Sequence, residues 1–310
     1  AEALQWTGKE LWPLAGNTFT NVLFIGGYSN GTGREEIDEV NPATTGNATK
    51  WTDLTTEAAN GAGCGSATRA LWTPITGDTD MIQYIDYSSG GGGSNFGAAY
   101  QADTVGTGAL STTTRGCFAA GDASAARDVI SYVTISSIGA ASDFGDLTIA
   151  RYYITGMASA TRGLWAGGEA SGSATTRVDY ITVASTGNAI DFGGVDPSSY
   201  WGAGSANGTY GMYWGGTTSS ASYTNKIQRV TIATLGDFVD FGDLTTATRA
   251  AAGQGNSTRA LCAGGGTSSD TRTFTIEYVE IATTGNASDF GDLTQDRSNL
   301  AAASAVQGNF

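Results

Sequence analysis

The chain has 310 residues and a formal net charge of −14, with a pI near 4.2, 46 glycines and no histidine. A surface this acidic repels phosphate backbones and anionic membranes, so neither nucleic acid nor membrane insertion is expected. The lack of histidine removes the commonest general base and metal ligand, and Cys64, Cys117 and Cys262 form no CxxC pair, so no metal, cofactor or disulfide is expected.

Residues 1–20 form a segment of their own, an N-terminal arm that carries Trp6, Leu11, Trp12 and Leu14. It has neither the basic nor the apolar region of a signal peptide, and no run in the chain approaches the ~18 apolar residues of a membrane span. Trp6 and Trp12 are candidate docking contacts for a neighbouring subunit.

From Asn21 to the C-terminus one unit of 45 to 49 residues repeats. An aromatic in a short acidic, glycine-containing segment recurs at Trp51, Phe96, Phe144, Phe192, Phe241 and Phe290, most fully as DFGDLT at Asp143 to Thr148, Asp240 to Thr245 and Asp289 to Thr294. A β-branched anchor recurs in the same phase at Ile37, Ile82, Ile130, Val178, Ile227 and Ile276. A third landmark opens a strand at Asn21, Arg69, Arg115, Arg162, Tyr210 and Arg259, which usually ends in glycine, as at Gly26-Gly27, Gly167-Gly168, Gly215-Gly216 and Gly264-Gly265.

Each unit reads as four short strands. In the fourth these are Tyr152 to Ser159, Arg162 to Gly167, Arg177 to Ala184 and Asp191 to Val195, with the turn signal Thr186-Gly187-Asn188 between the last two. The first strand of each unit is made mostly of small residues, as at Ala62 to Ala67, Ala250 to Gly255 and Asn299 to Ala305, which suits the crowded axis of a ring. The first unit begins at its second strand, and the chain ends on an unpartnered first strand. Residues 21–310 are therefore predicted to form an all-β, six-bladed β-propeller, four antiparallel strands per blade, closed by the C-terminal strand, in preference to an open solenoid. The second unit departs from the pattern around Thr73 to Asp80 and Ser88 to Thr107, a candidate place for specificity.

These residues resemble the kelch family, in which a double glycine precedes a strand with an aromatic and a leucine, followed by an arginine. Gly264-Gly265, Phe290, Leu293 and Arg297 follow that order, as do Gly215-Gly216, Phe241, Leu244 and Arg249, and the first unit keeps Gly26-Gly27, Trp51 and Leu54. Most units carry Phe where kelch repeats have Trp. Copper oxidases share the fold that this resemblance implies, but their histidine ligands are absent here. The repeat wording, TRGLWAGG and then TGNAxDFGDLT, also resembles virion and tail-associated proteins of marine tailed bacteriophages.

Three groups of residues invite a chemical reading. The acids of DFGD could pair as glycosidase carboxylates or calcium ligands, but their recurrence in several blades favours local turns. Arg69, Arg115, Arg162 and Arg259 could ring one mouth of the channel for an anionic ligand, or pair with the adjacent blade. Trp201, Tyr213 and Trp214 are candidate glycan contacts if exposed.

The leading expectation is a non-enzymatic virion protein, structural or adhesive, on a phage tail, fibre or capsid. It would act through other virion proteins in a homo-oligomeric or multi-copy assembly, outside the cell, and contact a host-surface glycan. A secreted bacterial glycan-binding module is the alternative, and an enzyme working through carboxylates is the third reading.

Overall fold

In a computed structural model, which describes residues 20–73, 81–100, 105–122, 125–267 and 271–305, every regular element is a β-strand. Six antiparallel blades follow one another, each with four strands running from the axis outward. The fourth is typical, with Thr155–Ala158 innermost, then Arg162–Ala166, Arg177–Thr182 and Ile190–Gly194. These bounds match the sequence reading closely except at the start of the inner strand. Tyr152 and Tyr153 are not part of that strand, because Tyr153 takes a left-handed backbone, with φ of 56°, and interrupts the extended run.

The ring closes as the sequence predicts. The C-terminal strand Ala301–Ser304 pairs antiparallel with Val22–Ile25, in the register Val22 to Ser304 through Ile25 to Ala301. It completes a blade whose other long strands are Thr32–Val40 and Thr49–Ala58. First and last residues of the ring therefore share one sheet, and the chain has no free inner edge there.

The core is divided into six apolar clusters, each lying between two neighbouring blades. Leu164 and Val178 of the fourth blade meet Tyr213 and Ile232 of the fifth in one of them. A middle strand thus has a neighbouring blade on each face, so residues on both faces are buried. In Thr275–Glu280, Ile276, Glu277 and Val279 are all buried, which explains why strict polar alternation is missing.

Glycines in the acidic motif are required by a close approach of backbones. At Gly97, Gly145, Gly193, Gly242 and Gly291 the chain has φ between 145° and 159°, and a Cβ added there would lie 2.1 to 2.5 Å from the turn glycine of the next blade. No side chain fits. That turn glycine in turn donates its N–H to the motif aromatic's carbonyl: Gly139 to Phe96 (2.9 Å), Gly187 to Phe144 (2.7 Å), Gly236 to Phe192 (3.0 Å), Gly285 to Phe241 (2.9 Å) and Gly46 to Phe290 (2.7 Å). The adjoining side chains add more, as Asn188, Asn286 and Asn47 each accept from the N–H of Asp146, Asp243 and Asp292 at 3.1 Å.

Two interfaces also contain a buried ion pair. Arg151 contacts Asp179 at 2.6 Å between the third and fourth blades, and Arg297 contacts Asp38 at 2.5 Å where the ring closes. All four side chains are fully buried, and burial draws both guanidiniums below their usual pKa while the facing aspartates oppose that shift. The threonine of DFGDLT completes each site, with Thr148 and Thr294 donating backbone N–H and hydroxyl to Asp179 and Asp38. Removing one partner of such a pair costs about 3–5 kcal/mol, since the other is left charged in the interior.

Two consequences can be measured. Gly97→Ala is expected to lower stability by about 1–3 kcal/mol through backbone strain alone, with the clash adding to it. Gly139→Ala, whose added methyl meets open space at an ordinary φ, should stay within about 0.5 kcal/mol of wild type in the same urea titration. Ending the chain at Ser298 should expose the edge of Val22–Ile25, giving aggregation or loss of a single cooperative transition by calorimetry; a truncated chain that melts like the full one contradicts ring closure.

Candidate aromatic site at the mouth of the ring

One face of the ring carries the connections from each outer strand to the next inner strand, together with the turns between second and third strands. Just before each inner strand lies a residue with a left-handed backbone: Asn60, Gly106, Tyr153, Trp201, Ala250 and Asn299, with φ from 53° to 72°. This conformation turns their peptides along the rim. Tyr153 N–H donates to the Gly106 carbonyl (2.7 Å), Trp201 to Tyr153 (3.1 Å), Ala250 to Trp201 (2.8 Å), Asn299 to Ala250 (2.7 Å) and Asn60 to Asn299 (3.0 Å). A belt of backbone hydrogen bonds therefore surrounds the mouth of a channel of about 110 Å³ lined by the small residues of the inner strands.

Glycine and asparagine tolerate such a backbone, whereas a bulky side chain is an outlier there, at a cost of order 1–3 kcal/mol. Tyr153 and Trp201 are those outliers. Their rings meet at 4.3 Å between centroids, and Tyr152 and Tyr200 extend the group at 4.6 Å from Tyr153 and 5.3 Å from Trp201. On the far side the Arg249 guanidinium lies 4.5 Å from the Trp201 ring and 4.8 Å from Tyr223. The result is an arc of rings at two of the six rim positions, while Asn60, Gly106, Ala250 and Asn299 leave the others small.

Electrostatics keep the arc's phenols neutral. Burial raises the pKa of Tyr152, Tyr153 and Tyr200, and nearby Glu169 pushes in the same direction. Tyr152 also donates its hydroxyl to Glu169 at 2.7 Å. All three hydroxyls retain a proton to donate.

Trp201 is half-buried within this arc, so one of the three predicted glycan contacts has a surface to offer. Tyr213 and Trp214 do not. Both are fully buried, with the Tyr213 hydroxyl bonded to Ser199 and the Trp214 indole N–H donated to Ser205 at 3.0 Å, because their strand, Tyr210–Trp214, is enclosed by blades on both faces. They belong to the core. Trp6 and Trp12 lie outside the described residues, as do 74–80 and 101–104 of the divergent second unit.

The suggested arginine ring is a set of clasps between blades. Arg69 donates to the carbonyl of Ile135 (2.9 Å), Arg115 to Val183 (2.7 Å), Arg162 to Ile232 (2.9 Å) and Arg259 to Ala43 (3.1 Å), each on the following blade. Each guanidinium also lies 4.5 to 4.9 Å from a tyrosine ring of its own blade, Tyr84, Tyr132, Tyr180 or Tyr278. The fifth blade exchanges the two residue types: Tyr210 takes the arginine place, and Arg229, from the tyrosine place, stacks on it at 4.5 Å and donates to Ile281 (2.9 Å). These clasps stand at the opposite end of the blades from the aromatic arc.

The DFGD acids line the outer strands and are distributed around the rim, where Asp191 pairs with Arg177 and Asp289 accepts from Gly291. They do not converge. Among the described residues no three His, Cys, Asp or Glu side chains come together as a metal site. The three cysteines are buried and free, and burial raises their pKa, to about 12 at Cys117.

Sequence reasoning missed Tyr152, Tyr153, Arg249 and the left-handed belt. The available signal was positional, since Tyr153 and Trp201 fall at the repeat position that elsewhere holds Asn60, Gly106, Ala250 and Asn299. Compared with known families and with curated proteins, the chain matches no family model and no curated sequence.

The exchanged pair offers a test of the clasp. Arg229→Tyr alone should lose about 1–2 kcal/mol, from a cation–π contact and a hydrogen bond. Adding Tyr210→Arg recreates the arrangement of four other blades and should recover most of that loss in a denaturant titration.

Proposed function

We propose that this chain is a non-enzymatic binding and assembly protein of a virion, carried on a tail, fibre or capsid, with the aromatic arc as its contact surface. The observation that carries the binding part is the retention of two bulky aromatics, Tyr153 and Trp201, in strained backbone positions at one mouth of an otherwise regular ring. Strain held at one place in a repeat is explained by what those side chains contact. The clasp arginines at the other end are engaged between blades.

The virion assignment draws on the repeat wording, TRGLWAGG followed by TGNAxDFGDLT, and on an acidity unsuited to DNA packaging. Its partners are other virion proteins in a multi-copy assembly, with Trp6 and Trp12 of the N-terminal arm as the docking contacts. The arc equally suits a secreted glycan-binding module, and location separates the two.

Mass spectrometry of purified particles should find the chain in stoichiometric amounts, and removing residues 1–20 should lower its incorporation. Particles carrying Trp201→Asn should assemble normally but adsorb poorly to host cells. A chain recovered only free in the medium of uninfected bacteria overturns the virion reading.

A further inference from the structure

Beside Trp201 a second cavity of about 150 Å³ opens on the same face, lined by Tyr28, Trp201, Arg249, Arg272, Ser298 and Asn299. Two of these are cations in a chain whose acids outnumber its bases almost two to one. The Arg272 guanidinium lies 5.2 Å from the Tyr28 ring and makes no ion pair with the described residues. Its Nε is buried without a hydrogen-bond partner. A buried donor left unsatisfied calls for an acceptor.

We propose that this cavity is a subsite for one carboxylate-bearing sugar, a uronic-acid residue of a surface polysaccharide, with its carboxylate held by Arg249 and Arg272 and its ring in the space that Trp201 and Tyr28 line. This inference rests on the reading of the arc as the binding surface and names the class of its ligand. Guanidinium forks match carboxylates in geometry as well as charge. A cationic ligand is disfavoured, because Arg249 already lies against the Trp201 ring.

A strongly charged polyanion such as a polyphosphate is disfavoured by the net charge of −14, whereas a saccharide spaces its carboxylates one per ring. The volume is well below the roughly 300–1,000 Å³ of a drug-sized pocket, so it suits a single ring. From the cavity the arc continues through Trp201 to Tyr200 and Tyr153, giving the adjoining sugar an aromatic surface and protonated phenols as donors.

The test is calorimetric titration of the full chain with trigalacturonate and with its methyl ester, which keeps the rings and removes the charge. Wild type should bind the acid at least tenfold more tightly than the ester. Arg272→Gln should abolish that preference and leave ester binding unchanged. Trp201→Asn, which copies the residue at 60 and 299, should lose both ligands while retaining one cooperative melting transition within a few degrees of wild type. Equal affinity for acid and ester, undiminished binding by Trp201→Asn, or no binding of either ligand by wild type overturns the proposal. If trigalacturonate fails to bind but Trp201→Asn particles still lose adsorption, the ligand class falls and the binding surface stands. If trigalacturonate binds as expected and adsorption is unaffected, the subsite stands and its role in adhesion falls.

Discussion

The contact on which the ring depends is between two backbones, where the turn glycine of one blade rests against the bulged glycine of the blade before it. A four-stranded sheet alone would present its outer strand as an open edge, a template for aggregation. Here the turn of the following blade covers part of that edge and donates to the carbonyl of the motif aromatic at five of the six junctions. This requires glycine on the outer strand, where a Cβ would meet the turn backbone, and at four junctions a short polar residue beside the turn glycine, Asn188, Asp237, Asn286 or Asn47, accepts from an outer-strand amide. DFGD and TGN are thus two halves of one contact, and their constant separation in sequence reflects the constant angle between blades. The remaining junction, between first and second blades, is built differently, with Gly92 lying close to the Asp53 carbonyl. Its departure coincides with the unit whose sequence diverges most.

Because the apolar core is divided among junctions, each blade depends chiefly on its two neighbours, as in a repeat array whose ends have been joined. The joining junction therefore matters more than its size suggests. It has the same Arg–Asp–Thr device as the junction of third and fourth blades, with Arg297, Thr294 and Asp38 in the places of Arg151, Thr148 and Asp179. Strand pairing from Val22 to Ile25 supplies the hydrogen bonds, and the ion pair fixes the angle at which the last blade meets the first. An apolar replacement could fill the same space without specifying that geometry.

Much of this was legible in the sequence because the landmarks encode backbone requirements. Phase gave the number of blades, small residues marked the inner strands, and the offset between first and last strands gave the closure. Function-bearing side chains were harder to read. Tyr213 and Trp214 looked available because aromatics adjoin glycines there, yet a second strand lies between two blades, and Leu164 and Trp165 in the equivalent strand are buried for the same reason. Trp201 does lie half-buried at the mouth, but its partner Tyr153 was assigned to a strand. Nothing in the residue type Tyr announces a positive φ; only the alignment with Asn60, Gly106 and Asn299 does so.

The belt of left-handed residues explains how a nearly symmetric fold acquires a single site. Its hydrogen bonds are made by main chain alone, so the rim keeps its course whichever side chain stands at each position. Side chains there are consequently free of any duty to hold the ring, and the only local constraint on them is conformational, favouring glycine and asparagine. Three consecutive positions, Tyr153, Trp201 and Ala250, depart from that preference, the first two with bulky aromatics, and Arg249, beside the third, packs against Trp201. Arg69, Arg115, Arg162 and Arg259 are committed to junctions as clasps over tyrosine, and Arg151 and Arg297 as buried partners of aspartate. At the mouth, by contrast, Arg249 and Arg272 stack on rings and line an open cavity. The same residue type thus serves two purposes, closing the junctions between blades in one setting and lining a cavity against aromatic rings in the other.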